Sequence, residues 1–302
     1  MCLFILNIFV VLLTFCLAFP FTHSIVSTMS KVCISFIFCC ISISLYSQIS
    51  TILPSSGSVG SASVADSHHW SAFSNPASAG YCDFAEMGLQ YENKFVIKEL
   101  STKSAQLIVP NKLLNAGVSF SQFGYSLYHE TLLGVALARN FGNKFAMGLQ
   151  VNYYDAFSIA TNSHSAVFLP QFGVSVRFSP HFNLGFQTFN PLQTSIKTEY
   201  VTKLIPSVFS LGTEYYFTSN LVWCTQIDRE LHSNYRFATG FEYLMLDKIT
   251  LKMGGYGADY LVPCMGVGFN FGHISMGLDC DIHPLLGLTT RSSVKYIFGS
   301  AK

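Results

Sequence analysis

From Phe84 to the end of the chain, apolar side chains recur at every second position, the period of a strand whose two faces meet different surroundings. Between Lys144 and Tyr154, Phe145, Met147, Leu149, Val151 and Tyr153 share one face, while Lys144, Ala146, Gly148, Gln150 and Asn152 share the other. The same division sets Ile274, Met276 and Leu278 against Ser275, Gly277 and Asp279, and Tyr235, Phe237, Phe241 and Tyr243 against Arg236, Ala238, Gly240 and Glu242. Such segments fall at 84–95, 103–110, 114–125, 130–141, 144–158, 165–178, 182–189, 206–217, 220–231, 234–244, 248–257, 261–271, 273–282 and 288–298. They predict an all-β chain of about fourteen antiparallel strands.

The predicted connections alternate as well. Those after even-numbered strands are tight, as at Gly142-Asn143, Thr218-Ser219 and the lone Gly272. Those after odd-numbered strands are generally longer, Asn190 to Ile205 above all, with 232–233 an exception. Short turns on one rim and longer loops on the other are the habit of transmembrane barrels, whose short turns are periplasmic. An even strand count returns both ends of 84–302 to the short-turn rim.

Alternation alone does not choose between a barrel in lipid and a soluble sandwich; the chemistry of the second face does. In a sandwich that face carries abundant Lys and Glu for water. Here it holds Gly, Ser, Ala, Gln and Asn with an occasional charge, which suits a narrow polar lumen. Gly88, Gly117, Gly134, Gly148, Gly173, Gly185, Gly212, Gly240, Gly254, Gly266, Gly268 and Gly277 fall on it, and glycine inside a strand often marks a bend or the close approach of another backbone. The inward set also includes Glu214, Asp228, Arg236, Glu242, Lys252, Asp279 and Asp281, expected to pair with one another or with whatever fills the lumen.

Composition agrees with a lipid-facing barrel. The chain is 50% hydrophobic, 15% aromatic and 11% charged, against about 25% charged for an ordinary soluble domain. No run of about 20 apolar residues follows residue 50, so helical spans are not expected there. Two apolar runs occupy the start. The second, behind Met29 and Lys31 and ending at Ser47-Gln48, has the layout of a secretory signal, so 29–47 reads as a signal peptide and 1–28 as an upstream over-read, with an N-terminal membrane anchor as the alternative. Without this leader the basic and acidic residues balance, which argues against a nucleic-acid partner. Cys82, Cys224, Cys264 and Cys280 remain; they fit no zinc spacing and read as small apolar residues or one disulfide.

Residues 48–83 stand between leader and strands. Their last part, Asp66-Ser-His-His-Trp-Ser-Ala-Phe-Ser-Asn-Pro-Ala-Ser-Ala-Gly-Tyr81, is rich in small residues and is read as a plug inside the barrel formed by 84–302. Asn75-Pro76 is a turn initiator, and Trp70 and Phe73 offer apolar area to the wall. His68-His69 lacks a third ligand nearby, and no Gly-x-Ser-x-Gly elbow is present, so neither a metal, a cofactor nor a catalytic residue is expected.

Gly60-Ser-Ala-Ser-Val-Ala-Asp66 followed by Trp70-Ser-Ala-Phe-Ser-Asn-Pro-Ala77 resembles the N-terminal signature of FadL-like outer-membrane barrels, and in particular of their PorV/PorQ relatives. The resemblance implies that Asp66, Trp70, Phe73, Asn75, Pro76 and Ala77 belong to a luminal hatch in the bacterial outer membrane. Ser78 stands where that family usually has Gly, and the loops are short for a fatty-acid transporter. Val294, Tyr296 and Phe298 near the end resemble the signal read by the barrel-insertion machinery. Two functions follow as expectations: an accessory role in type IX secretion, with secreted or surface proteins as partners, or a channel for small hydrophobic solutes. An outer-membrane hydrolase is a further alternative.

Overall fold

In lipid a strand must bond along both edges, because no water is present to take its N–H and C=O groups, and closure into a barrel is the sheet's solution. The computed structural model describes Val59 and residues 62–65, 70–159, 162–197, 202–231, 235–257 and 260–299. Expectations for the leader 1–47, for Asp66 and for His68-His69 fall outside these residues.

The strands are β1 Ala85–Asn93, β2 Ser101–Val109, β3 Asn115–Gly124, β4 Tyr128–Phe141, β5 Phe145–Ser158, β6 Ser163–Ser179, β7 Phe182–Phe189, β8 Ser195–Lys197, β9 Thr202–Leu204, β10 Val208–Tyr216, β11 Leu221–Glu230, β12 Tyr235–Met245, β13 Ile249–Gly257, β14 Leu261–Phe271, β15 Ile274–His283 and β16 Gly287–Phe298. Fourteen of them close one antiparallel barrel in chain order, with β7 beside β10 and β16 beside β1. Each of the fourteen segments read from the alternation is one of these strands. The exception to the reading is β8–β9, a separate hairpin inside the 190–207 connection; three-residue strands are too short for a period of two to register. The rims also differ less than expected, since Tyr125–Leu127 and Pro284–Leu286 are as tight as the turns opposite.

The outward face is apolar: Leu149, Met253, Phe168 and Leu278 are each 60–65% exposed. Ring pairs Phe141–Phe145, Phe178–Phe182, Trp223–Phe241, Phe269–Phe271 and Tyr296–Phe298 form a girdle round the short-turn rim. Tyr153–Phe168 and Tyr235–Phe237 stand toward the other rim. Two aromatic girdles bounding an apolar band place the barrel in a membrane. Among the described residues no helix is long and apolar enough to cross one. Register is continuous round the wall apart from a shift between Arg177 and Ser179 at the end of β6.

Candidate functional site in the barrel lumen

The inner face carries three distinct surfaces, and the first is a set of glycine seats. A Cβ on Gly240 would lie 2.8 Å from Val59 Cα, one on Gly185 2.1 Å from Val64 O, one on Gly173 2.0 Å from Asn75 Oδ1, and one on Gly148 2.4 Å from the Pro76 carbonyl carbon. Val59, Val64–Ala65 and Asn75–Ala77 therefore lie against the inside of β12, β7, β6 and β5, in contacts that only glycine permits. Ser71–Ser74 makes one helical turn and Pro76–Tyr81 a 3₁₀ turn. Trp70 starts the first from φ 45°, a left-handed conformation uncommon for so large a residue, and its carbonyl accepts from the amides of Phe73 and Ser74. Its ring reaches Gly88 on β1, and Phe73 is buried beside it with centroids 6.0 Å apart.

Asn75 holds this segment together. Fully buried, it accepts from the Ala77 amide at 3.0 Å and donates to Val64 O at 2.8 Å and to Val174 O at 3.2 Å. One side chain thus caps the 3₁₀ turn, ties it to the preceding stretch and anchors both to β6; Pro76 follows at a position where a missing N–H costs nothing. Ser78 is also fully buried, but its hydroxyl has no partner, so the departure from glycine leaves a polar atom unsatisfied.

The second surface is an amide belt. Gln150 donates to Asn152 at 2.7 Å, Asn152 to Gln171 at 3.2 Å, and Gln171 to Gln187 at 2.9 Å and to Phe73 O at 3.3 Å. It passes over Gly134, where a side chain would collide with Asn152 and Gln150. Above it, toward the rim of the long connection, Leu132, Tyr154, Leu169, Phe189 and Val208 join Ile196 and Ile205 of the β7–β10 connection in a buried apolar cluster.

The third surface is charged. Arg236 donates to Asp228 at 2.8 Å and lies over the Tyr256 ring; the Tyr256 hydroxyl donates to Asp281 at 3.0 Å. Asp281 also accepts from Arg291 at 3.0 Å, and Arg291 pairs with Glu92 at 3.3 Å. Gln226 joins this chain to the N-terminal segment, accepting from the Val64 amide at 3.0 Å and donating to Asp228 at 2.7 Å. Toward the other rim, Lys252 lies 3.5 Å from Glu242 and Lys295 2.7 Å from Glu86. Glu214 is apart from these, accepting from Asn183 at 2.8 Å, and Asp279 has a buried oxygen without a partner.

The sequence reading passed over Glu86, Glu92, Arg291 and Lys295. Their signal was present: Glu86, Gly88, Gln90 and Glu92 alternate with Met87, Leu89 and Tyr91. Cys82, Cys224, Cys264 and Cys280 form no disulfide among the described residues. Among the described residues no group of His, Cys, Asp and Glu could hold a metal ion.

No family model matches the sequence, nor does any curated protein. Solved structures do share its fold. CymD, a monoaromatic hydrocarbon channel, superposes with a TM-score of 0.62 at 10% identity over 83% of this chain and 99% of its own. A FadL homologue of Pseudomonas aeruginosa gives 0.59 at 12% identity over 82% and 99%. The Pseudomonas putida toluene transporter TodX gives 0.55 at 10% identity over 84% and 98%. The fold is that of FadL-like outer-membrane barrels.

Proposed function

We propose that this chain is a non-enzymatic barrel of the bacterial outer membrane that admits small hydrophobic solutes, with residues 59–82 serving as its hatch. The observation that carries the reading is the apolar cluster of Leu132, Tyr154, Leu169, Phe189, Ile196, Ile205 and Val208. It is a buried apolar patch above the amide belt, it is capped by a connection rather than by the wall or the N-terminal segment, and it lies toward the rim opposite the start of β1. A hydrophobic molecule displacing Ile196 and Ile205 would gain contact with Leu169 and Phe189. The amide belt beneath, tied to Phe73 O through Gln171, would then feel its arrival. That CymD is a hydrocarbon channel and TodX a toluene transporter adds support from fold alone.

A second reading, an accessory barrel of type IX secretion as in PorV/PorQ proteins, is favoured by the Asn75-Pro76-Ala77 signature and by the continuous pairing of β2, β3 and β4 behind it. Deletion strains separate the two. Reduced uptake of toluene or a fatty acid, restored by the wild-type gene but not by Leu169→Asn or Phe189→Asn, supports the channel. Normal uptake with loss of surface-displayed secreted proteins overturns it in favour of the accessory role.

A further inference from the structure

Two carboxylates border the apolar cluster, and they differ in what they receive. Glu130 precedes Leu132 of the cluster on the same face of β4, and it accepts the hydroxyls of Tyr128 and Tyr154. On the other side, Val208 of the cluster stands opposite Glu230 in the β10–β11 register. Directly opposed residues of an antiparallel pair share a face, with Cβ atoms about 5 Å apart. Glu230 therefore borders the cluster from β11.

Glu230 receives no such hydroxyl: its Oε2 is shut off from solvent and has no hydrogen-bond partner. Its neighbours along β11 are engaged elsewhere, Asp228 with Arg236 and Gln226, and Arg229 over the Tyr235 ring. A second unmatched group stands close by. Ser207, 1% exposed, has a buried hydroxyl with no partner, and its carbonyl accepts from the Leu231 amide at 3.1 Å, which sets it beside the end of β11. A carboxylate oxygen out of water with nothing donating to it is costly, and a donor arriving with the apolar molecule removes that cost. Ligand sites are commonly built this way, apolar over most of their lining with a few polar groups that choose the ligand.

We propose that the solute taken by this cluster is amphipathic: an apolar body that displaces Ile196 and Ile205, and a hydroxyl or amine that donates to Glu230. The inference rests on the hydrophobic route proposed above and narrows it, from hydrophobic solutes in general to alcohols, phenols and amines. A solute ending in a carboxylate meets like charge from Glu130 and Glu230 and is disfavoured.

The test compares one ring with three ends, toluene, benzyl alcohol and benzoate, as uptake into cells of a deletion strain with and without the restored gene. Uptake that depends on the chain should favour benzyl alcohol over toluene by about tenfold, with benzoate entering least. Glu230→Leu should bring that ratio to about one while toluene still enters. Glu230→Gln, which retains a carbonyl acceptor, should keep most of it; heat-modifiable gel migration verifies that each barrel folds. Equal entry of toluene and benzyl alcohol into wild-type cells, or a ratio that ignores Glu230→Leu, overturns the inference and leaves the hydrophobic route standing, a water then being the partner of Glu230. No chain-dependent entry of either compound overturns both. Should Glu230→Leu fail to fold, the wild-type ratio decides alone.

Discussion

A Cβ on Gly148 would lie 2.4 Å from the carbonyl carbon of Pro76, so β5 and the Asn-Pro-Ala turn touch at a point where no other residue fits. Gly142, in the β4–β5 turn, offers the contrast: φ is +64° and nothing lies within 4 Å of an added Cβ. Gly142→Ala is expected to cost about 1–2 kcal/mol of backbone strain and to leave the segment seated. Gly148→Val is expected to unseat it. Limited proteolysis of residues 59–82 distinguishes them: rapid cleavage for Gly148→Val alone is the prediction, and equal cleavage would contradict the seating.

Asn75→Ala removes the cap on Ala77 and orphans two carbonyls, Val64 O and Val174 O. The expected loss is about 1–3 kcal/mol for each buried group left unsatisfied. Asn75→Asp keeps the acceptor for Ala77 but loses both donations, so it should rescue little. A lower unfolding midpoint for both, with the barrel still forming, is the outcome to look for.

Ser78→Ala should go the other way. The hydroxyl is buried and unpartnered, and removing a desolvated polar atom is expected to be neutral or stabilising by about 1 kcal/mol. A clear destabilisation would mean that the hydroxyl has a role in the hatch.

Cys82 lies at the rim before β1, and burial followed by the nearby Glu86 carboxylate pushes its thiol up to about 12. An unfolded cysteine, with an ordinary value of 9.0, ionises first as pH rises. Between these two values the native state holds the proton that the unfolded state has lost, so stability falls with rising pH. The folded protein should accordingly resist iodoacetamide at pH 9 and react fast in denaturant; rapid labelling of the native thiol would contradict the burial.

The strands were legible because each face of each strand meets one environment from end to end, so a period of two persists through β5 and β15. The hairpin β8–β9 was not, because Ser195–Lys197 and Thr202–Leu204 are too brief to show a period and gain their place by capping Leu169 and Phe189. The pairing of Asp281 with Arg291 was hidden for a different reason. Alternation tells that both point inward, but their meeting depends on the register of β15 with β16, which sequence spacing leaves open by a residue or two.

The most direct measurement concerns the faces of one strand. Single cysteines at Leu149 and Gln150, adjacent on β5 and respectively 64% and 3% exposed, can be spin-labelled in lipid vesicles and probed with oxygen and a water-soluble nickel chelate. A label at 149 should be mobile, accessible to oxygen and shielded from nickel, while one at 150 is immobile and shielded from oxygen. Oxygen reaching 150 in preference to 149, or nickel quenching 149 freely, would contradict a barrel that turns its apolar side chains to lipid.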